Sequence, residues 1–109
     1  MIRSSLAANA PYAAMLVTPS RGLSYQWRYF VNGNSGGRNN SSLSAPTWVR
    51  LVRQGNNLRG YTSNDGVTWS LLQTQTIPEL PGTVYLGLAV TSHNNGTLCT
   101  ATFDNVTVR

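Results

Sequence analysis

The chain has 109 residues, of which 40% are hydrophobic and 10% are charged, and its 8 basic and 3 acidic residues give a formal net charge of +5. This length predicts one domain, residues 1–109, with a modest core, and it excludes a large multidomain enzyme. No apolar run is long enough to span a bilayer, and the first residues lack the apolar stretch of a signal peptide. We therefore expect no membrane partner.

Every basic residue is an arginine, and the arginines are spread along the chain. Nucleic-acid binding calls for a clustered basic patch, so we expect no nucleic-acid partner. Guanidinium groups pair with carboxylates and phosphates and stack on aromatic rings, which suits a carbohydrate or a small anionic ligand. The single Cys99 has no disulfide partner within the chain, and no pair of Cys or His residues has zinc-ligand spacing within one copy.

Alternation of apolar and polar side chains, bounded by Gly, Pro, Asn and Ser, recurs along the chain, and no helical periodicity extends over a dozen residues. This pattern predicts an all-β protein, an antiparallel jelly-roll-type β-sandwich of about eight strands. The polar stretch 32–44 has nothing to bury and is predicted to be a mobile surface loop. The predicted strands, in chain order, are 1–6, 12–18, 23–31, 47–54, 58–63, 68–75, 83–92 and 98–108.

Several predicted strands carry one polar face, on which arginine, amide and aromatic side chains alternate with apolar residues. We expect the polar faces of adjacent strands to form one concave surface, where aromatic rings and bidentate donors would meet the faces and hydroxyls of a sugar. The alternative without a ligand site is an ordinary solvated sheet face, with the aromatic residues in the core or at a subunit interface. The predicted ligand-binding residues are Gln26, Arg28, Trp48, Arg50, Tyr61 and His93.

Four stretches, WVRLVRQGN (48–56), GYTSNDGVTW (60–69), YLGLAVTSH (85–93) and TATFDNVTV (100–108), resemble the concanavalin A-like jelly-roll modules of bacterial extracellular proteins, which are related to laminin G-like domains. The resemblance implies a non-catalytic carbohydrate-binding or adhesion module and a secreted or extracellular location. Family modules carry further upstream strands, so the chain resembles a truncated jelly roll. Uncovered sheet edges favour pairing with other copies, and we predict a homo-oligomer, a dimer or a trimer.

Two other functions remain open, and the sequence does not decide whether the protein is an enzyme. In a trimer, three copies of His93 around the axis would form a zinc site with an open position for water, giving a hydrolase of phosphate or other esters whose site is shared between subunits. Calcium at Asp65 is a weaker candidate, because one carboxylate makes a poor cage for this cation. The remaining interpretation is a structural assembly domain.

Overall fold

A computed structural model describes residues 1–109 and contains eight β-strands and no helix, so no helix is available to cross a membrane. All paired strands are antiparallel. The all-β sandwich of about eight strands predicted from the sequence is therefore confirmed. The strands are β1 (Ile2–Arg3), β2 (Tyr12–Val17), β3 (Leu23–Arg28), β4 (Ser35–Asn40), β5 (Trp48–Gln54), β6 (Asn57–Ser63), β7 (Ser70–Thr76) and β8 (Tyr85–Leu86).

The strands form a large sheet of five, in the order β4-β3-β2-β1-β8, and a small sheet of three, in the order β5-β6-β7. In the large sheet, β2 and β3 pair along their whole length, from Tyr12 opposite Arg28 to Val17 opposite Leu23. A tight turn joins β5 to β6, and Gly55 adopts there the positive φ of 63° that a two-residue hairpin requires. The small sheet covers one side of the large one: β2 packs on β5 and β6, and β3 and β4 pack on β7.

The core lies between the sheets and is built by strand alternation. Tyr25 on β3 is fully buried, and its hydroxyl donates a hydrogen bond of 2.9 Å to the carbonyl of Leu58 on β6. This burial also raises the pKa of Tyr25 above its ordinary value. The ring lies against the backbone of Gly60, where a Cβ atom would come within 2.3 Å of it. The buried core cluster consists of Ile2, Ala13, Tyr25, Leu58, Ile77 and Leu80.

The segment predicted to be a mobile loop contains a strand, which corrects that prediction. Residues 35–40, Ser-Gly-Gly-Arg-Asn-Asn, form β4 and pair with the whole of β3. The cause is backbone hydrogen bonding to β3 together with a steric fit: a Cβ atom at Gly36 would lie 2.6 Å from the Trp27 ring. Alternation of apolar and polar residues does not predict a strand of this kind, because its side chains bury little apolar surface.

The predicted strands 83–92 and 98–108 are also corrected. Only Tyr85–Leu86 of the first run forms a strand, β8, and the second run forms none. Alternation shows that a segment can lie on a sheet, but a strand also needs a partner edge. Residues beyond Gly87 pair with no strand of their own chain.

Candidate functional site

The outer face of the small sheet carries the main cluster of aromatic and cationic side chains in the protein. Arg50 on β5 lies opposite Tyr61 on β6, and Trp48 precedes Arg50 by two residues on the same face. Trp69, just before β7, completes the group through its contact with Arg50. We call Trp48, Arg50, Tyr61 and Trp69 the platform. It forms here because Leu58 and Gly60 take the inner face of β6 and turn Tyr61 outward.

Arg50 is held by aromatic contacts alone. Its guanidinium carbon lies 4.3 Å from the centroid of the Trp69 ring and 4.9 Å from that of Tyr61. Each contact of this kind contributes about 0.5–1 kcal/mol at an exposed site. The side chain is exposed, and its guanidinium makes no hydrogen bond within the chain. The rings thus orient a fork of N–H donors that remains available to a carboxylate, phosphate or hydroxyl.

The β6–β7 turn supports the platform from one end. The Asp65 carboxylate accepts hydrogen bonds of 2.8 Å from the backbone N–H groups of Val67 and Thr68 and one of 2.9 Å from the Ser63 hydroxyl. These bonds lower the pKa of Asp65, with the Thr68 and Val67 amides as the largest causes. The turn places Gly66 directly against the Trp48 ring, where a Cβ atom would come within 2.8 Å. Asp65 is therefore a structural residue of the turn.

The lowered pKa of Asp65 predicts a stability difference that depends on pH. A carboxylate whose folded-state pKa lies below its ordinary value of 3.8 stabilises the fold above that value, and the stabilisation is lost as the pH falls through the folded-state pKa. We expect Asp65→Asn to lower the urea midpoint at about pH 6 and to approach the wild-type midpoint near about pH 2. Urea unfolding of both proteins across this range measures the difference. A gap that stays constant down to the lowest pH contradicts this assignment.

Two neighbouring features extend the platform. Arg59 lies on the same face of β6 as Tyr61, and only one of its nitrogens is engaged, by Gln54 at 2.8 Å. No acidic residue lies on β5, β6 or β7. On the far side of the β6–β7 turn lies a cavity of about 290 Å³, rich in hydroxyl and amide groups. Its lining residues are Asn40, Leu43, Thr62, Ser63, Asn64, Asp65, Thr68 and Ser70.

The structure separates the six residues predicted to bind ligand. Trp48, Arg50 and Tyr61 come together on the small sheet. Gln26 and Arg28 lie on the large sheet, on the face of β3 opposite the buried Tyr25, and therefore on the other side of the sandwich. The single concave surface expected from the sequence does not include them.

Arg28 is used by the fold itself. Its guanidinium donates to the carbonyls of Gly33 and Ala8, both at 2.9 Å, and of Ala10 at 3.3 Å. It also lies 5.4 Å from the centroid of the Tyr12 ring. Arg28 thus ties two loops to the end of β3, which leaves few donors for a ligand.

We expect Arg28→Ala to lower the free energy of unfolding by about 3 kcal/mol, since hydrogen bonds to charged groups contribute about 1.5–3 kcal/mol each and three backbone carbonyls lose their partner. Arg28→Lys should recover less than half of this loss, because one ammonium group cannot reach all three carbonyls. Chemical denaturation measures both values. Arg21→Ala, at an exposed arginine in the β2–β3 turn, is the matched control, and its effect should stay within about 0.5 kcal/mol. Equal losses at the two positions would contradict this role for Arg28.

His93 lies apart from both groups, exposed in the C-terminal part of the chain, with a φ of 55°. Its backbone N–H donates to the Thr91 hydroxyl, so its immediate surroundings are a local turn. Within one chain, no group of three or more His, Cys, Asp or Glu side chains is arranged to hold a metal ion. The three-histidine zinc site expected in a trimer would depend wholly on symmetry between copies.

Comparisons with known proteins do not identify the chain. No family model, curated protein or solved structure matches it. The resemblance to concanavalin A-like modules therefore remains a prediction from the sequence.

One platform residue, Trp69, was not among the residues predicted to bind ligand. It lies outside the alternating part of β7, and a bulge between Gly60 and Tyr61 shifts the register of β6 and β7 beside it. The signal that could have found it is the hairpin that joins the predicted strands 58–63 and 68–75, because its pairing brings the first residues of β7 beside Tyr61.

Proposed function

We propose that this protein is a non-catalytic carbohydrate-binding module and that the sugar lies on the platform. The observation that carries the proposal is the Arg50 guanidinium, which contacts the rings of Trp69 and Tyr61 and leaves its donors unused. Aromatic rings contact the apolar face of a sugar ring, and a fixed fork of N–H groups binds its hydroxyl or carboxylate oxygens. Both kinds of contact lie here within the reach of one sugar unit.

The charge distribution favours an acidic sugar. Arg50 and Arg59 lie on one face of the small sheet without a carboxylate among them, and the whole chain carries a net charge of +5. An uronate or sulfated unit would pair with Arg50 in two parallel hydrogen bonds, a geometry that lysine cannot supply. A neutral sugar would leave this fork without its strongest partner.

The polar cavity beyond the β6–β7 turn supports binding of a chain rather than a single sugar. Thr68 lines the cavity and Trp69 belongs to the platform, so the two surfaces adjoin. A second sugar unit would find there hydroxyl and amide groups of the kinds that bind sugar hydroxyls. An extracellular location forms part of this proposal and rests on the resemblance to extracellular modules. No observation within the chain favours the hydrolase alternative.

The test is affinity electrophoresis through gels that contain polygalacturonate, alginate or dextran. We expect retardation by an acidic polymer, and we expect Arg50→Ala to weaken binding about 10- to 100-fold, the range for loss of a charge-assisted hydrogen-bonding group. Arg21→Ala removes the same charge from a different surface and should keep nearly wild-type binding. Arg50→Lys separates charge from geometry and should bind much less than wild type.

Two outcomes would overturn the proposal. One is the absence of binding to any of the polymers. The other is an equal loss for Arg50→Ala and Arg21→Ala, which would show only general attraction between a basic protein and a polyanion. Circular dichroism of each variant establishes that the β-sandwich is retained.

A further inference from the structure

The C-terminal segment, residues 87–109, exposes apolar side chains to an unusual degree. Six large apolar residues in it are between 45% and 98% exposed. The segment leaves the large sheet at Gly87, whose N–H donates to the Met1 carbonyl at 3.1 Å. Beyond that point its only backbone–backbone hydrogen bond is the turn from Thr97 to Asn94 at 3.0 Å. The six residues are Leu88, Val90, Leu98, Phe103, Val106 and Val108.

The sequence of this segment suits a paired strand. Residues 98–108 alternate β-branched, aromatic and small side chains, and no Arg, Asp, Glu or Pro occurs between Gly87 and Phe103. Proteins usually protect a free strand with charges or proline. Their absence here points to a strand whose backbone groups are meant to pair. Because Asp104 is the only charged side chain in residues 98–108, an electrostatically selected partner is disfavoured.

The same chain offers an unfilled place for a strand at β5. Val49 points to the inner side of the small sheet, on the face of Leu51 and opposite the buried Thr62, yet it is 40% exposed. The reason is that β5 is an edge strand of the small sheet. β2 packs beneath it, whereas the small sheet covers β1 and β8 much less than it covers β2. Leu86 on β8 pairs with the buried Ile2 and lies on the same face of the large sheet, yet it is 52% exposed. A strand added to β5 would cover Val49 and this part of the large sheet.

We infer that residues 98–108 of one copy add as a strand to β5 of a second copy, and that the second copy does the same in return, forming a closed symmetric dimer by strand exchange. Each copy supplies this unpaired strand and the β5 edge, so two copies satisfy both, and closed two-fold pairs are the commonest assembly. The whole C-terminal segment, residues 87–109, falls within the roughly 20–30 residues that each partner contributes to a standard interface. This inference is independent of the carbohydrate proposal.

The first experiment is size-exclusion chromatography with light scattering on the full chain over a micromolar concentration series. We expect twice the chain mass of 11.8 kDa for wild type. The donor variant Phe103→Arg/Val106→Arg and the acceptor variant Val49→Arg should each raise the dimer dissociation constant at least 100-fold. Val67→Arg, at an apolar residue 80% exposed in the β6–β7 turn, is the matched control and should remain dimeric.

Two further measurements keep the inference testable if a variant folds poorly. Mixing the donor and acceptor variants should restore a dimer, because one intact junction remains between them. In wild type, hydrogen exchange should show amides 98–108 protected at high concentration and unprotected on dilution.

A monomeric wild type at about 100 μM would overturn the inference, since an interface of standard size has a dissociation constant far below that concentration. A dimer that survives both variants would overturn it as well. Protection of amides 98–108 that does not change with concentration would also overturn it, because it would place the segment on its own chain. So would a mass that keeps rising with protein concentration, because a closed dimer has a fixed mass.

Discussion

Replacing Gly60 with valine is expected to leave most of the protein unfolded at room temperature. A Cβ atom at this position would lie 2.3 Å from the Tyr25 ring and 2.4 Å from the Met15 sulfur. The ring cannot move aside easily, because its hydroxyl is bonded to the Leu58 carbonyl. Overpacking costs about 1–3 kcal/mol for a small added group, and valine adds three carbon atoms at this position, so we expect a loss of about 5 kcal/mol or more, which equals the lower end of the total stability of a small domain.

Gly60→Ala provides the graded version of this prediction, with an expected loss of about 2–3 kcal/mol. Gly82→Ala is the matched control, because a Cβ atom there meets nothing within 4 Å and φ is not positive. Its effect should stay within about 0.5 kcal/mol. Urea denaturation followed by tryptophan fluorescence measures both. A Gly60→Ala protein as stable as wild type would contradict the packing of Tyr25 on β6.

Trp69→Ala is expected to cause the largest loss of binding, about 30- to 1000-fold, as truncation of a central aromatic residue costs about 2–4 kcal/mol in binding sites. The substitution removes one aromatic surface and also releases Arg50, whose guanidinium lies 4.3 Å from that ring. Trp69→Phe should keep part of the affinity. Isothermal titration with oligogalacturonate measures the dissociation constants.

The control for this prediction is Phe30→Ala, at an aromatic residue that is 50% exposed beyond the end of β3 and outside the platform. It should bind as wild type does. If Trp69→Ala and Phe30→Ala bind equally well, the platform is not the site.

The hairpins of the small sheet could be predicted from local chemistry. Turn residues at Gly55 and at Asn64–Gly66 separate runs of alternating side chains, and β5, β6 and β7 begin and end within about two residues of the predicted strands. Alternation along β3 also places Tyr25 on the face opposite Gln26 and Arg28. These features depend on neighbours in the sequence, so the sequence alone is sufficient to specify them.

Two elements depend on whether a partner edge is available and could not be predicted from the alternation of side chains. β4 forms because β3 offers a free edge and because Gly36 leaves room for the Trp27 ring. Residues 98–108 carry a clear strand pattern and yet pair with nothing in their own chain. Local preference describes what a segment can do, whereas an available edge decides whether it does so.

The candidate site was predictable in part for the same reason. Arg50 and Tyr61 become neighbours through a hairpin that the sequence predicts. Assigning Gln26 to the same surface required knowledge of which sheet its strand joins. Arg28 looked like a free cation, but two loops that arrive from other parts of the chain occupy its donors.

The most direct test of the carbohydrate proposal is to map the bound sugar by NMR. Titration of isotope-labelled protein with oligogalacturonate should shift the Nε1 resonance of Trp69, the Nε resonance of Arg50 and the backbone amides around Tyr61. The resonances of Gln26 and Arg28 on the opposite side of the sandwich should not move. Shifts confined to the large sheet, or none at saturating sugar, would contradict the proposal.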